Sequence, residues 1–245
     1  FTLQPQGESL KVVGDVGDLA PGERIYSTRF VGDRGYVVTF RQVDPLFVID
    51  LANPDAPKVL GQLKIPGFSE YMHPIDDGHL LTIGRDTEGP FRTAIALQIF
   101  DVTQPTQPRL MHKHVFDGAT YGYSEAEQNH KAFTYFASRK LLSFPFYGWS
   151  PTGFRSSAEL FQIDLASGIT KVGSVDHTQL FGTSSRGYCN GYFSPQVRRS
   201  VFLEDVLYSI SYGGVIATDT KNLAGPALGT AALAAPSAPD LPYCR

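Results

Sequence analysis

The sequence predicts an all-β chain built from a repeated four-stranded unit, and three patterns carry that prediction. The first is a recurring phrase of two apolar residues, a small hydroxyl and a further apolar residue. It reads Val37-Val38-Thr39-Phe40, Leu80-Leu81-Thr82-Ile83, Leu141-Leu142-Ser143-Phe144 and Leu207-Tyr208-Ser209-Ile210. The second is a turn just before each copy, at Asp33-Arg34-Gly35, Asp76-Asp77-Gly78, Ser138-Arg139-Lys140 and Glu204-Asp205. The third is an acidic anchor on the next apolar run, at Asp50, Asp101, Asp164 and Asp219. A unit of three or four short strands recurring every 40–60 residues or so, roughly, is the mark of a propeller blade. The expected architecture is a β-propeller of about four blades, each of about four antiparallel strands, forming part of a larger ring.

Each element follows in order. Blade one is expected over 24–66, with strands at Arg24–Val31, Tyr36–Phe40, Leu46–Leu51 and Lys58–Ile65. Blade two, over 67–116, places strands at 70–75, 79–83, 95–102 and 109–116. Blade three, over 117–180, places them at 130–136, 141–146, 158–165 and 170–176. Blade four, over 181–233, places them at 198–203, 206–212, 214–219 and 226–233, leaving 234–245 as a tail. The third-to-fourth connections Asp50–Lys58 and Asp101–Arg109 each carry two prolines three apart, which cannot both lie in a paired strand, so each is a fixed turn. The anchor aspartates should accept backbone hydrogen bonds there. Upstream, Lys11-Val12-Val13-Gly14-Asp15-Val16 parallels Lys58-Val59-Leu60-Gly61-Gln62-Leu63 and Lys171-Val172-Gly173. Residues 1–23 are therefore expected to hold the outer strand of a preceding blade plus a linker. The alternative is that this strand closes a four-bladed ring by completing blade four.

Composition narrows the function classes. Charged residues make up 18% of the 245, against about 25% in ordinary soluble domains. A net charge of −3 provides no basic field for nucleic acid. No apolar run is long enough for a membrane-spanning helix. The two cysteines, Cys189 and Cys244, form no CxxC pair. A disulfide between them would clip the tail to the last blade and add about 3–4 kcal/mol by restricting the unfolded chain; the alternative is two unpaired thiols.

The order of Ser69-Glu70-Tyr71-Met72-His73-Pro74, Gly78-His79-Leu80-Leu81-Thr82-Ile83-Gly84-Arg85-Asp86, Phe100-Asp101-Val102, Tyr123-Ser124-Glu125, His130-Lys131-Ala132-Phe133 and Arg198-Arg199-Ser200 resembles uncharacterised secreted β-propeller proteins of bacteria and archaea, distant relatives of WD-repeat proteins. The resemblance spans roughly 24–225 and rests on the combined order, each motif alone being weak. It implies a secreted, periplasmic or cell-surface location, and a longer parent protein with an N-terminal hydrophobic export or anchor segment. The partner it implies is the N-terminal part of the same precursor or another chain. It carries no activity.

Loop length points to the working face. The first-to-second and third-to-fourth connections are short, whereas 84–94, 117–129, 147–157 and 181–197 are long and share the other rim. Candidate ligand-binding residues there are Arg85, Asp86, Tyr147, Trp149, Tyr188 and Tyr192. The competing reading is that the aromatics cap the core. His73 and His130 fall at corresponding places on innermost strands, each near a carboxylate (Glu70; Glu125 or Glu127), so Glu70, His73, Glu125 and His130 form a candidate polar cluster near the central channel. The histidines are expected to hydrogen-bond across strands rather than to bind a metal, and no cofactor is expected. No nucleophile elbow, phosphate loop or dinucleotide fingerprint is present. The expected function is non-enzymatic binding or scaffolding at the cell envelope through the long-loop face, with a glycan or peptide as ligand. The alternative is an extracellular hydrolase or lyase acting on a polysaccharide or peptide in the channel, since propellers host both.

Overall fold

A computed structural model describes residues 1–40, 44–65, 67–87, 94–116, 121–150, 153–180 and 196–233. The chain divides into two compact units, Phe1–Phe116 and Asp117–Arg245. The described residues form strands, turns and short 3-10 segments, and no helix among them is long and apolar enough to cross a membrane.

The first unit opens with a hairpin, β1 (Thr2–Gln6) against β2 (Ser9–Gly14). Two meanders follow. One runs β3 (Arg24–Val31), β4 (Arg34–Phe40), β5 (Asp44–Asp50) and β6 (Lys58–Ile65), each strand pairing with the next. The other runs β7 (Phe68–Asp76), β8 (His79–Arg85), β9 (Ile95–Asp101) and β10 (Arg109–Val115) in the same order. The middle strands are apolar on both faces because both faces are covered. Tyr36, Val38, Leu46 and Val48 pack against Met72, Leu80, Phe100 and Val102 of the second sheet. The opposite face of the first sheet, with Val37, Phe47 and Ile49, lies under Val16, Leu19 and Ala20 of the connection from β2.

The second unit repeats the plan with one alteration. β13 (Leu141–Ser150), β14 (Gly153–Asp164) and β15 (Gly168–Asp176) form a meander, but two short strands share the inner edge of β13. β12 (Thr134–Phe136) pairs with 141–143, and β11 (Tyr121–Tyr123) pairs with 147–149. The segment between them makes two 3-10 turns, Glu125–Glu127 and His130–Ala132. Ser124 and Glu127 form a capping box on the first, and the Asn129 side chain caps the second, so these side chains divert the backbone from the sheet. The single inner strand expected over 130–136 is thus reduced to three residues. The last sheet, β16 (Val197–Leu203), β17 (Val206–Ser211), β18 (Gly214–Asp219) and β19 (Gly229–Ala232), packs Val197, Leu207 and Ile216 on Ala158, Leu160 and Val175.

The anchor aspartates do what their turns require. Asp50 accepts from Ala52 N, Asp101 from Thr103 N, Asp164 from Ala166 N and Ser167 N, and Asp219 from Lys221 N, all at 2.9–3.1 Å. The Thr103 hydroxyl and backbone bonds, with Arg109 alongside, pull the Asp101 carboxyl down to about 2. Donation by the Ser167 and Ala166 backbone and by Lys140 holds Asp164 well below the usual carboxylate range. The hydroxyls of the repeated phrase are all buried: Thr39, Thr82, Ser143 and Ser209. Thr39 donates to Glu23 at 2.5 Å, Thr82 accepts from Ser69 at 3.0 Å, and Ser209 bonds the His177 ring at 2.7 Å.

Candidate functional site

The second unit carries a surface on which aromatic and ionic side chains converge. β13 and β14 run on as paired strands as far as Ser150 and Gly153, where a long loop over 147–157 was expected. Tyr147 and Trp149 are therefore strand residues, held by two-sided backbone pairing. Tyr147 pairs with Tyr123 and Ser156, and Trp149 with Tyr121 and Phe154. Pro145 lies in the gap between the strips covered by β12 and β11, where a residue without an N–H disrupts least of the ladder. Gly122 lets β11 lie flat, since a Cβ there would meet the Phe146 ring at 2.5 Å.

Cross-strand pairing puts the Tyr123 and Tyr147 rings face to face, 5.7 Å apart at 22°. Tyr123 is 51% exposed. The Tyr147 hydroxyl is pushed up by burial and then by the Glu127 carboxylate. Beneath them the capping box buries Glu127, one of whose oxygens accepts from Ser124 N at 3.0 Å. Glu125 is clasped by two guanidiniums: Arg198 Nε and Arg199 Nη1 each lie 2.7 Å from it, and the Asn129 amide donates to it at 2.9 Å. The Arg198 guanidinium also lies over the Tyr212 ring, 5.3 Å from its centroid, and Tyr212 is 55% exposed. Tyr123, Tyr147, Arg198 and Tyr212 thus form a patch of π-faces and guanidinium edge, with its charge balanced by Glu125.

The other sequence candidates fall as follows. Arg85 ends β8 in the first unit, and Asp86 beside it is 5% exposed and pairs with Lys113 at 2.7 Å. Glu70 and His73 lie on β7 in the first unit. His73 is 3.3 Å from the Tyr71 hydroxyl, and its pKa is lowered by burial and by the Arg29 charge. Glu125 and His130 belong to the second unit. His130 begins a 3-10 turn and is exposed, where an innermost strand position was expected. Tyr188, Tyr192, Cys189 and Cys244 lie outside the described residues. Among the described residues, no three His, Cys, Asp or Glu side chains come together as a metal-ligand group. Sequence reading did not single out Tyr212 or Arg29. Tyr212 stands two residues after the last hydroxyl phrase, and the Arg198 guanidinium over its ring is what gives it a role.

Four-stranded antiparallel meanders packed face on face, in a repeating unit with an anchored turn, agree with what comparison of the sequence finds. A family model described as a beta propeller domain matches residues 1–223. The chain belongs to the beta propeller domain family. An uncharacterized protein of Archaeoglobus fulgidus is 45% identical over 126 residues, which is 51% of this chain and 19% of that protein. An uncharacterized protein of Methanocaldococcus jannaschii is 40% identical over 138 residues, 56% of this chain and 21% of that one. The matched segment thus spans about a fifth of the length of these curated relatives. Among solved structures, the crystal structure of cobalt-substituted Synechocystis ACO aligns at 12% identity with a TM-score of 0.42, covering 86% of this chain and 50% of that one.

Proposed function

We propose that this propeller is a non-enzymatic binding or scaffold domain of an exported cell-envelope protein, and that its ligand is a glycan or peptide held by the Tyr123–Tyr147–Arg198–Tyr212 patch. The observation that carries the reading is the exposed Tyr123 ring stacked on the half-buried Tyr147, beside a guanidinium already aligned by Glu125. Flat aromatic faces bury large area at small entropic cost, and a fixed guanidinium adds directional donors. The nearby carboxylates favour binding over hydrolysis, because Glu125 is held by two arginines and Glu127 by the capping box, so both are committed to structure. Trp149, Tyr188 and Tyr192 of the second unit remain proposed contributors to ligand contact, and Arg85 of the first unit is proposed as a contact of its own; Asp86, buried and paired with Lys113, is committed to structure.

The test is an oligosaccharide and peptide array, followed by titration of the strongest hit against variants. Tyr123→Ala and Arg198→Ala should each weaken it about tenfold or more. Tyr123→Ala should leave the melting temperature within a few degrees, since half its surface already faces water. Unchanged affinity in both variants would refute the placement of the site. Turnover of the hit, rather than retention, would refute the non-enzymatic reading.

A further inference from the structure

The β1–β2 hairpin matches the outer half of the blade that follows it at three consecutive pairs and a bulge. In that blade Val48 pairs with Gly61, Ile49 with Val59 and Asp50 with Lys58, with a bulge between Val48 and Ile49. In the hairpin Thr2 pairs with Gly14, Leu3 with Val12 and Gln4 with Lys11, with the bulge between Thr2 and Leu3. The same two-against-one slip recurs between β9 and β10 and between β14 and β15. Packing gives the same alignment independently. A Cβ on Gly61 would collide with the Pro105 carbonyl of the next blade's turn, and one on Gly14 would collide with the Pro54 carbonyl of the equivalent turn. Further along, Leu63 packs against the Tyr36–Phe100 cluster, and Val16, at the matching position, packs against the Val37–Phe47 cluster. β1 therefore occupies a third-strand position and β2 a fourth-strand position.

A third strand in this fold is paired on both edges and covered on both faces. Ile49, at the position of Leu3, is 7% exposed; Leu3 is 52% exposed. Among the described residues β1 pairs with β2 alone, so its other edge carries N–H and C=O groups with no ladder partner there, and an edge of this kind takes up a strand. Val12 is 52% exposed, but its counterpart Val59 is 40% exposed even in the completed blade, so the deficit is confined to the β1 side. We propose that the free edge of β1 is a strand-addition site, and that its occupant is the inner strand pair of the same blade, carried on the same polypeptide N-terminal to Phe1. The occupant follows from the register, which calls for a second strand of the chain's own repeat type at this edge. It also fits relatives of which the matched segment is about a fifth.

The test compares the 245-residue chain with the same chain extended by its native upstream sequence, each carrying Leu3→Cys or Val12→Cys. Thiol labelling at position 3 should slow about tenfold or more in the extended protein, while position 12 stays nearly as reactive in both. Backbone amides of Thr2–Gln6 should gain protection from hydrogen exchange in the extended protein only. Equal labelling at position 3 in both forms would overturn the proposal, as would the absence of upstream coding sequence. Protection that appears in the short chain with rising concentration would overturn it in favour of a second copy.

Discussion

His177 should make the stability of this protein depend on pH in a narrow window. It follows β15, is fully buried, and reaches across to β17 of the next sheet. Its Nδ1 lies 2.8 Å from the Ser211 hydroxyl and its Nε2 2.7 Å from the Ser209 hydroxyl, so both ring nitrogens are engaged. Burial pulls its pKa from 6.5 down to about 4, and the Asp176 charge offsets only part of this. The unfolded chain therefore takes up a proton near pH 6.5 that the folded chain refuses until about pH 4. Stability from this group is fully present above pH 6.5 and is lost as pH falls towards 4. The loss amounts to about 3 kcal/mol at 1.36 kcal/mol per pH unit.

Urea unfolding from pH 7.5 to 4.0, in wild type and His177→Gln, measures it. Glutamine is uncharged throughout, so the variant should start less stable but lose about 3 kcal/mol less than wild type over that range. Asp101 does not confuse the result. Its folded pKa is lowered from 3.8 to about 2, so its contribution is present above 3.8 and is lost only as pH falls below that. Parallel pH profiles for wild type and variant, or a His177 ring resonance titrating near 6.5 in the folded protein, would refute the reasoning.

Three further outcomes are expected. Gly61→Ala should lower unfolding free energy by about 1–3 kcal/mol in the same urea assay, because the Cβ must displace the Pro105–Thr106 backbone. Lys113→Met should cost about 2 kcal/mol or more, since it leaves the buried Asp86 carboxylate without its lysine; a neutral effect would show that other contacts hold Asp86. Cys189 and Cys244 should be joined, so that intact mass after alkylation changes only when reduction precedes it. Two alkylated thiols without reductant would remove this support for an exported protein.

The parts of the fold legible in the sequence were those set by neighbours along the chain. The hydroxyl phrases, the turns before them and the double prolines are local signals, and the strands stand where those signals put them. The alteration in the third sheet had a local signal too. Ser124 and Glu127 have capping-box spacing but read as part of a long loop, and the second turn, capped by Asn129, falls in an apolar run through Phe133 and Tyr135 that reads as strand. The hairpin extension through Tyr147 and Trp149 was hidden for another reason. The expected strand already ran through Pro145 to Phe146, but Gly148 beyond it argues for a loop, and only its pairing with Gly122 and Arg155 carries the strand on.

The candidate site was legible only as composition. Tyrosines and arginines stood out, but stacking of Tyr123 on Tyr147 depends on a one-residue register between strands more than twenty positions apart, and period 2 makes that register decisive for which face each ring occupies. Clasping of Glu125 depends on β16 lying beside a 3-10 turn within a segment that reads in the sequence only as a long loop. A repeat fold specifies its scaffold in every unit and its site in the one unit that departs from the rule. The blade with the broken inner strand is thus the place to look for function, and the Tyr123 and Arg198 variants test that expectation directly.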